Sequence, residues 1–260
     1  MRVPFNGYVV SDDDAFFYRF FGYSCVCPAD LRAAIEKNPA GEELVLEVNS
    51  PGGNVMASNE MYSILRALQG VDAVAEVQSL AASAMSYAIL GCRRVMMSPV
   101  AQMMIHLPAV ASDGNYHDHQ HSALVLKSIG ESILNAYEVR CAGRTDRKAL
   151  RQMMEKETWM PAQDAVAAGL ADGILYQEGE TPLTIPGSIT NALGGGIRAL
   201  ALSAGCMPSA AELRDKYQQL GLTPPANGDP AASPAFPAEK ALKDDWRNSA
   251  RLSIAKAKYF

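Results

Sequence analysis

Three short segments of the sequence carry residues that together could perform acyl transfer. Ser83 lies among alanines, and such small neighbours leave room for an acyl substrate. If a helix begins there, its free N–H groups would favour an oxyanion. His106 ends an apolar run and could act as a general base. The third segment consists of Ser50, Pro51, Gly52 and Gly53. Its two adjacent glycines let the backbone approach a ligand closely.

Each segment also has a purely structural interpretation. The glycines could form a plain turn between a strand and a helix, and Ser83 could cap a tightly packed helix. A histidine that ends an apolar strand is more often structural than catalytic. The three segments in this order, however, match the needs of a serine nucleophile, its base and an oxyanion hole. The combination therefore favours nucleophilic catalysis.

The elements that must position these residues alternate between strands and helices. Apolar runs of strand length predict strands at 5–10, 43–49, 72–77, 94–97 and 102–106. Apolar residues at helical spacing predict helices at 55–68, 82–90, 117–141, 146–155 and 161–168, the last closed by Gly169. This alternation implies βαβ units and a mostly parallel sheet, so the fold class is α/β. Sites in such folds lie at the strand ends, where the three segments fall.

Composition excludes several classes of protein. The 260 residues are 48% hydrophobic and 20% charged, which is typical of a globular protein, and the net charge of −5 argues against a nucleic-acid binder. No secretory signal or apolar run of about 20 residues is visible, so we expect a cytoplasmic protein without a membrane anchor. The five cysteines are Cys25, Cys27, Cys92, Cys141 and Cys206. They contain no CxxC pair, which predicts reduced thiols.

Charge and proline content divide the chain. Residues 1–180 hold 14 basic and 22 acidic residues and form the predicted catalytic domain, whereas the remainder is net basic. A helical extension is predicted at 181–222, followed by a proline-rich linker at 223–237. Residues 238–260 predict a basic amphipathic helix that acts as an interaction arm. Folding of this helix back onto the acidic domain is the alternative.

Residues 41–175 resemble the Clp protease proteolytic-subunit family of serine peptidases. The resemblance is carried by Asn49–Gly53, Ala81–Ala84, Met104–Pro108 and Ala165–Asp172 in register. It implies a Clp/crotonase-like spiral of βαβ units with a long protruding helix. It also implies Ser83 as nucleophile, His106 as general base, and the N–H groups of Gly53 and Ala84 as oxyanion donors. A ring-type homo-oligomer that cleaves protein substrates without a cofactor is expected.

The third member of the triad has three candidates in the sequence. The family usually places an aspartate a few residues before the closing helix, and that position is Glu157 here. Glutamate can orient an imidazole, but its extra methylene changes its reach. Asp172 and Asp113 are the alternatives, and Glu157 could also be a solvated carboxylate at a helix end.

The strand-like start of the chain leaves few residues for the axial loop and helix of housekeeping subunits. With the extra tail, this favours the phage branch, whose members process capsid or scaffold proteins in head maturation. Two alternatives are a housekeeping-type ATP-dependent Clp subunit, which needs an ATPase partner, and a non-catalytic assembly protein that retains the fold. A third is an acyl-CoA hydratase, which shares the fold but needs acid/base carboxylates instead of a Ser–His pair.

Three histidines, His117, His119 and His121, raise the question of a metal site. On a strand they would share one face, but on a helix only His117 and His121 align. We interpret the segment as the solvated start of a long helix. No metal site is therefore predicted.

Overall fold

A computed structural model describes residues 1–176 and 208–221. Its strands are β1 (Arg2–Val9), β2 (Cys25–Val26), β3 (Leu44–Gly53), β4 (Ala73–Ala82), β5 (Arg94–Met97), β6 (Gln102–Ile105), β7 (Thr158–Pro161) and β8 (Gly173–Ile174). Strands β3 and β4 are longer than predicted, because each continues to pair after its apolar run ends. The predicted linker and C-terminal helix, at 223–237 and 238–260, lie outside the described residues.

The helices include the predicted ones and two that the sequence analysis did not predict. They are α1 (Asp12–Phe20), α2 (Pro28–Lys37), α3 (Val55–Ala67), α4 (Ala84–Ala88), α5 (Tyr116–Cys141), α6 (Arg147–Glu155), α7 (Ala162–Ala168) and α8 (Ala210–Gln219). A short 3₁₀ helix, Ile89–Gly91, follows α4. Gly169 ends α7 in the left-handed conformation, as predicted. The long helix α5 is confirmed, and α1 and α2 are additions.

The sheet of the described chain runs in the order β2-β1-β3-β4-β5-β8 and is parallel along this path. This confirms the α/β class and the parallel sheet. The first half of β4 pairs with β5, and its second half pairs instead with β6. Strand β6 also pairs with β7 in antiparallel register. The ends of β3, β4 and β6 therefore meet at one place.

The core beneath this meeting point is built from small and aliphatic side chains. Ala81, Ala82 and Ala84 are almost fully buried, and the following Met85 and Ile89 pack into the same cluster. Small residues let α4 approach the sheet closely, so the turn between β4 and α4 is held on a rigid base. The predicted small-residue segment thus positions the serine that it contains.

A second, aromatic cluster joins α8 to α1. The ring of Tyr217 makes edge-on contacts with Phe16, Phe17 and Phe20, at centroid distances of 5.5, 5.5 and 4.8 Å. The Tyr18 hydroxyl donates a hydrogen bond to the Pro208 carbonyl at 3.2 Å. Edge-to-face pairs of this kind stabilise packing beyond the area that they bury. Residues 208–221 therefore pack against the part of the chain predicted as the catalytic domain.

Candidate active site

Ser83 occupies the sharp turn between β4 and α4. Its backbone angles are φ 53° and ψ −125°, which a side-chain-bearing residue rarely adopts. The turn is held in place because the Ser83 N–H donates to the Met104 carbonyl of β6 at 2.9 Å. The side chain is partly exposed although its alanine neighbours are buried. Strained backbone at an accessible serine is a feature that functional sites share.

His106 follows β6 directly and reaches Ser83. The distance between Ser83 Oγ and His106 Nε2 is 2.7 Å, which is a hydrogen bond. If the serine hydroxyl donates, Nε2 must be unprotonated, and the neutral ring then carries its proton on Nδ1. A group that accepts from Nδ1–H would fix this tautomer and orient the ring. The structure thus brings together the two residues that the sequence named as nucleophile and base.

Glu157 lies across from His106 in the register of strands β6 and β7. The last ladder pair joins Ile105 to Thr158, so the next step along both chains sets His106 opposite Glu157. The ladder ends at that pair, so each residue lies one position beyond its strand, on the same side of the sheet edge. Glu157 also has a positive φ of 52°, and its Oε1 accepts from Trp159 Nε1 at 3.4 Å. This placement favours Glu157 as the group that orients the histidine.

The two alternative carboxylates have other partners. Asp172 accepts a hydrogen bond from the Val95 N–H of β5 at 2.6 Å and forms an ion pair with Arg140. Asp113 lies in the exposed loop before α5 and accepts from the N–H of Gly114 at 2.8 Å. Asp172 therefore ties β5 to α5, which is a structural task.

Ser50, Pro51, Gly52 and Gly53 do not form the separate turn expected after residue 49. They are the end of β3, where Gly52 and Gly53 pair with β1. A Cβ on Gly52 would lie 2.6 Å from the Ala82 carbonyl oxygen, 2.7 Å from Ser83 Cβ and 2.8 Å from the Ala84 nitrogen. The Ser50 hydroxyl is buried and accepts from the Gly52 N–H at 3.1 Å. The glycine segment is thus in van der Waals contact with the turn that holds Ser83.

Replacing Gly52 with alanine is expected to lower any hydrolytic rate by about 10²-fold or more, because the new methyl group must displace the amide of Ala84. The matched control is Gly70→Ala. Gly70 also has a positive φ, 76° against 92° for Gly52, but a Cβ there meets nothing within 4 Å. Both variants carry the cost of an alanine in the left-handed region, roughly 1–2 kcal/mol, and only the first should lose activity. Kinetics together with thermal unfolding of the two proteins would check this. Equal activity of the two variants would contradict it.

A small apolar pocket adjoins the Ser83–His106 pair. Its cavity volume is about 10 Å³, close to the minimum that one water molecule needs. Tyr87 and Tyr137 line it, and burial raises the pKa of both phenols. The other residues that line it are Val55, Ala84, Pro108 and Ile133.

Tyr137 lies within the predicted helix at 117–141, and the sequence does not connect it with the site. Tyr87 and Ser86 were likewise missed as neighbours of the nucleophile. The four-residue spacing of Ile133 and Tyr137 puts both on one helical face, which is the signal that pointed to burial. Nothing in the sequence shows which strand ends that face would meet.

The histidines at the start of α5 lie on a helix, as predicted, and His119 Nδ1 is 2.8 Å from the Ser112 hydroxyl. Within residues 1–176 and 208–221, no group of three or more histidine, cysteine or acidic side chains could hold a metal ion. None of the helices described in this chain has both the length and the apolar character that crossing a membrane requires.

Comparison with known proteins places the site in a family. The family model described as Clp protease matches residues 30–178, more than half of the chain and the part that contains the site. The chain is 30% identical over 147 residues to ATP-dependent Clp protease proteolytic subunit 1 of Chlamydia muridarum, covering 55% of this chain and 74% of that relative. It is 27% identical over 157 residues to proteolytic subunit 2 of Chlamydia trachomatis, covering 59% of this chain and 74% of the relative. The chain belongs to the Clp protease family.

Proposed function

We propose that this protein is a serine endopeptidase whose nucleophile is Ser83. The observation that carries the proposal is the 2.7 Å contact between Ser83 Oγ and His106 Nε2 at a strained turn, in a chain of the Clp protease family. Members of this family are serine peptidases. An acyl-CoA hydratase would instead need acid/base carboxylates at the reacting atoms, and the side chain at this turn is a serine hydrogen-bonded to a histidine.

In the proposed first step, Ser83 Oγ attacks the carbonyl carbon of a peptide bond while His106 Nε2 takes its proton. The oxygen of the tetrahedral intermediate accepts hydrogen bonds from the N–H groups of Gly53 and Ala84. Collapse breaks the C–N bond, and the imidazolium gives its proton to the leaving amine. Glu157 orients the imidazole and stabilises its positive charge. Water, activated by His106, then hydrolyses the ester on Ser83 and restores the hydroxyl.

The substrate in this proposal is an extended peptide that lies beside the end of β3, at Ser50, Pro51 and Gly52, and is held mainly by backbone hydrogen bonds. No cofactor takes part. We expect the chain to act as a ring-type homo-oligomer of spiral βαβ subunits in the cytoplasm.

The test is covalent labelling of the wild-type protein with a fluorophosphonate, followed by peptide mapping. Modification of Ser83 alone, with loss of labelling after His106→Ala, would support the proposal. Intact oligomers without labelling would favour a non-catalytic assembly protein, and hydration of an enoyl thioester without labelling would favour the hydratase.

Processing of capsid or scaffold proteins during phage head maturation stays a prediction from the sequence resemblance. If capsid and scaffold genes lie beside this gene, co-expression with their products would test it. Cleavage of either protein by the wild type, and not by a Ser83→Ala variant, is the expected result. The housekeeping alternative, which the ATP-dependent names of the relatives favour, requires instead that degradation of folded substrates depend on an ATPase partner and ATP.

A further inference from the structure

A chain of hydroxyl groups runs from α5 to the carbonyl group of Ser83. Ser86 Oγ lies 2.5 Å from the Ser83 carbonyl oxygen and 2.6 Å from the Tyr137 hydroxyl. Because a carbonyl oxygen can only accept, the single Ser86 proton points to Ser83. The Tyr137 hydroxyl must then donate to Ser86 Oγ, so the order of donation is from Tyr137 to Ser86 to Ser83.

The hydroxyl groups of Ser86 and Tyr137 are buried, which stabilises this order of donation. Ser86 is fully buried and Tyr137 is 1% exposed, so water does not compete for their hydroxyl groups. Burial also raises the pKa of Tyr137 and keeps its proton in place. A buried hydroxyl without a partner would cost free energy of folding, so both hydroxyl groups keep these hydrogen bonds. The Ser86 N–H adds a second hydrogen bond to the same carbonyl at 3.0 Å.

The consequence falls on the other side of the peptide unit. A trans peptide is planar and directs its C=O and N–H in opposite directions. Two hydrogen bonds that hold the Ser83 carbonyl toward the buried Ser86 therefore turn the Ala84 N–H away from it. The Ala84 nitrogen lies beside the glycine segment, since a Cβ on Gly52 would be 2.8 Å from it. We propose that Ser86 and Tyr137 are positioning residues that aim the Ala84 N–H at the oxyanion, an inference that rests on the proposed peptidase function.

The test is a kinetic comparison of Tyr137→Phe, Ser86→Ala and the double variant on a fluorogenic peptide with alanine before the scissile bond. Loss of a complete oxyanion donor costs about 10²- to 10³-fold in kcat, and misaiming it should cost about 10-fold or more in Ser86→Ala. Tyr137→Phe should lower kcat about 3- to 10-fold by the same route. KM and the pH dependence of kcat/KM should not change, because the oxyanion forms only after binding and His106 keeps its environment. The double variant should be no slower than Ser86→Ala, since Tyr137 acts only through that hydroxyl.

Thr145→Val is the matched control, because it also removes a hydroxyl that donates to a backbone carbonyl, that of Ala168 at 2.8 Å, and Thr145 does not line the pocket at Ser83. Its kcat should equal that of the wild type. Wild-type kcat in Tyr137→Phe, additive losses in the double variant, or a change confined to KM would overturn the inference. If Tyr137→Phe melts below the assay temperature, Ser86→Ala decides by the same kcat criterion. These results differ from failure of the proposed function, in which the wild type neither cleaves the peptide nor is labelled at Ser83, and which would overturn the inference too.

Discussion

Ser83→Ala is expected to lower peptide hydrolysis by about 10⁴-fold or more, because removal of a triad nucleophile leaves only binding and the oxyanion hole. The fold should survive the change. Ser83 is partly exposed, and alanine tolerates a positive φ about as poorly as serine does. Initial rates of peptide cleavage, thermal unfolding and the oligomer mass would be measured on the same preparations.

Ser79→Ala serves as the control, because Ser79 is an exposed serine on the same strand β4. It should keep wild-type activity. Near-normal activity in Ser83→Ala would move the nucleophile to Ser79 or Ser86. The structure argues against Ser86, since that hydroxyl is buried and already donates to the Ser83 carbonyl.

The second large effect is expected for Glu157→Gln, at roughly 10⁴-fold in kcat by analogy with the aspartate of the trypsin-like triad. The amide keeps the shape of the side chain but loses the charge that stabilises an imidazolium, and it can stabilise the wrong tautomer of His106. KM should change little, because Glu157 does not touch the peptide in the proposed mechanism. Steady-state kinetics would separate the two parameters.

Glu155→Gln, at the exposed end of α6, is the control for a loss of negative charge near the site. Asp172→Asn should lower the free energy of unfolding through its Arg140 and Val95 contacts while kcat stays unchanged. Full activity in Glu157→Gln, combined with an inactive Asp172→Asn or Asp113→Asn, would reassign the third member of the triad.

Local pattern was sufficient to predict much of this fold. The helices α3, α5 and α6 carry regular apolar spacing, and their ends lie within one or two residues of the predicted bounds. Helix α1 could also have been predicted, because Ser11 precedes a first turn of three aspartates, which favours a helix N-terminus. Strand β7 gave no such signal, since it has only four residues and ends in Pro161.

Some parts of the candidate site could likewise be predicted from local pattern, and others could not. Ser83 and His106 could be named because each follows an apolar run, and strand ends of a parallel sheet meet at one edge. The extension of β3 through Gly53 could not be predicted, because it depends on pairing with β1, which lies more than forty residues earlier in the chain. The hydroxyl chain from Tyr137 is of the same kind, since its members are 51 residues apart in sequence.

The contact between α1 and α8 also affects how the chain is made. Asp14 and Arg214 form an ion pair although 200 residues separate them, and Tyr217 covers Phe16 and Phe17 across a similar interval. At synthesis rates of about 5–20 residues per second, the aromatic face of α1 waits roughly 10–40 s for its cover. During that time the rings of Phe16, Phe17 and Phe20 lack the cover that Tyr217 gives them in the folded chain.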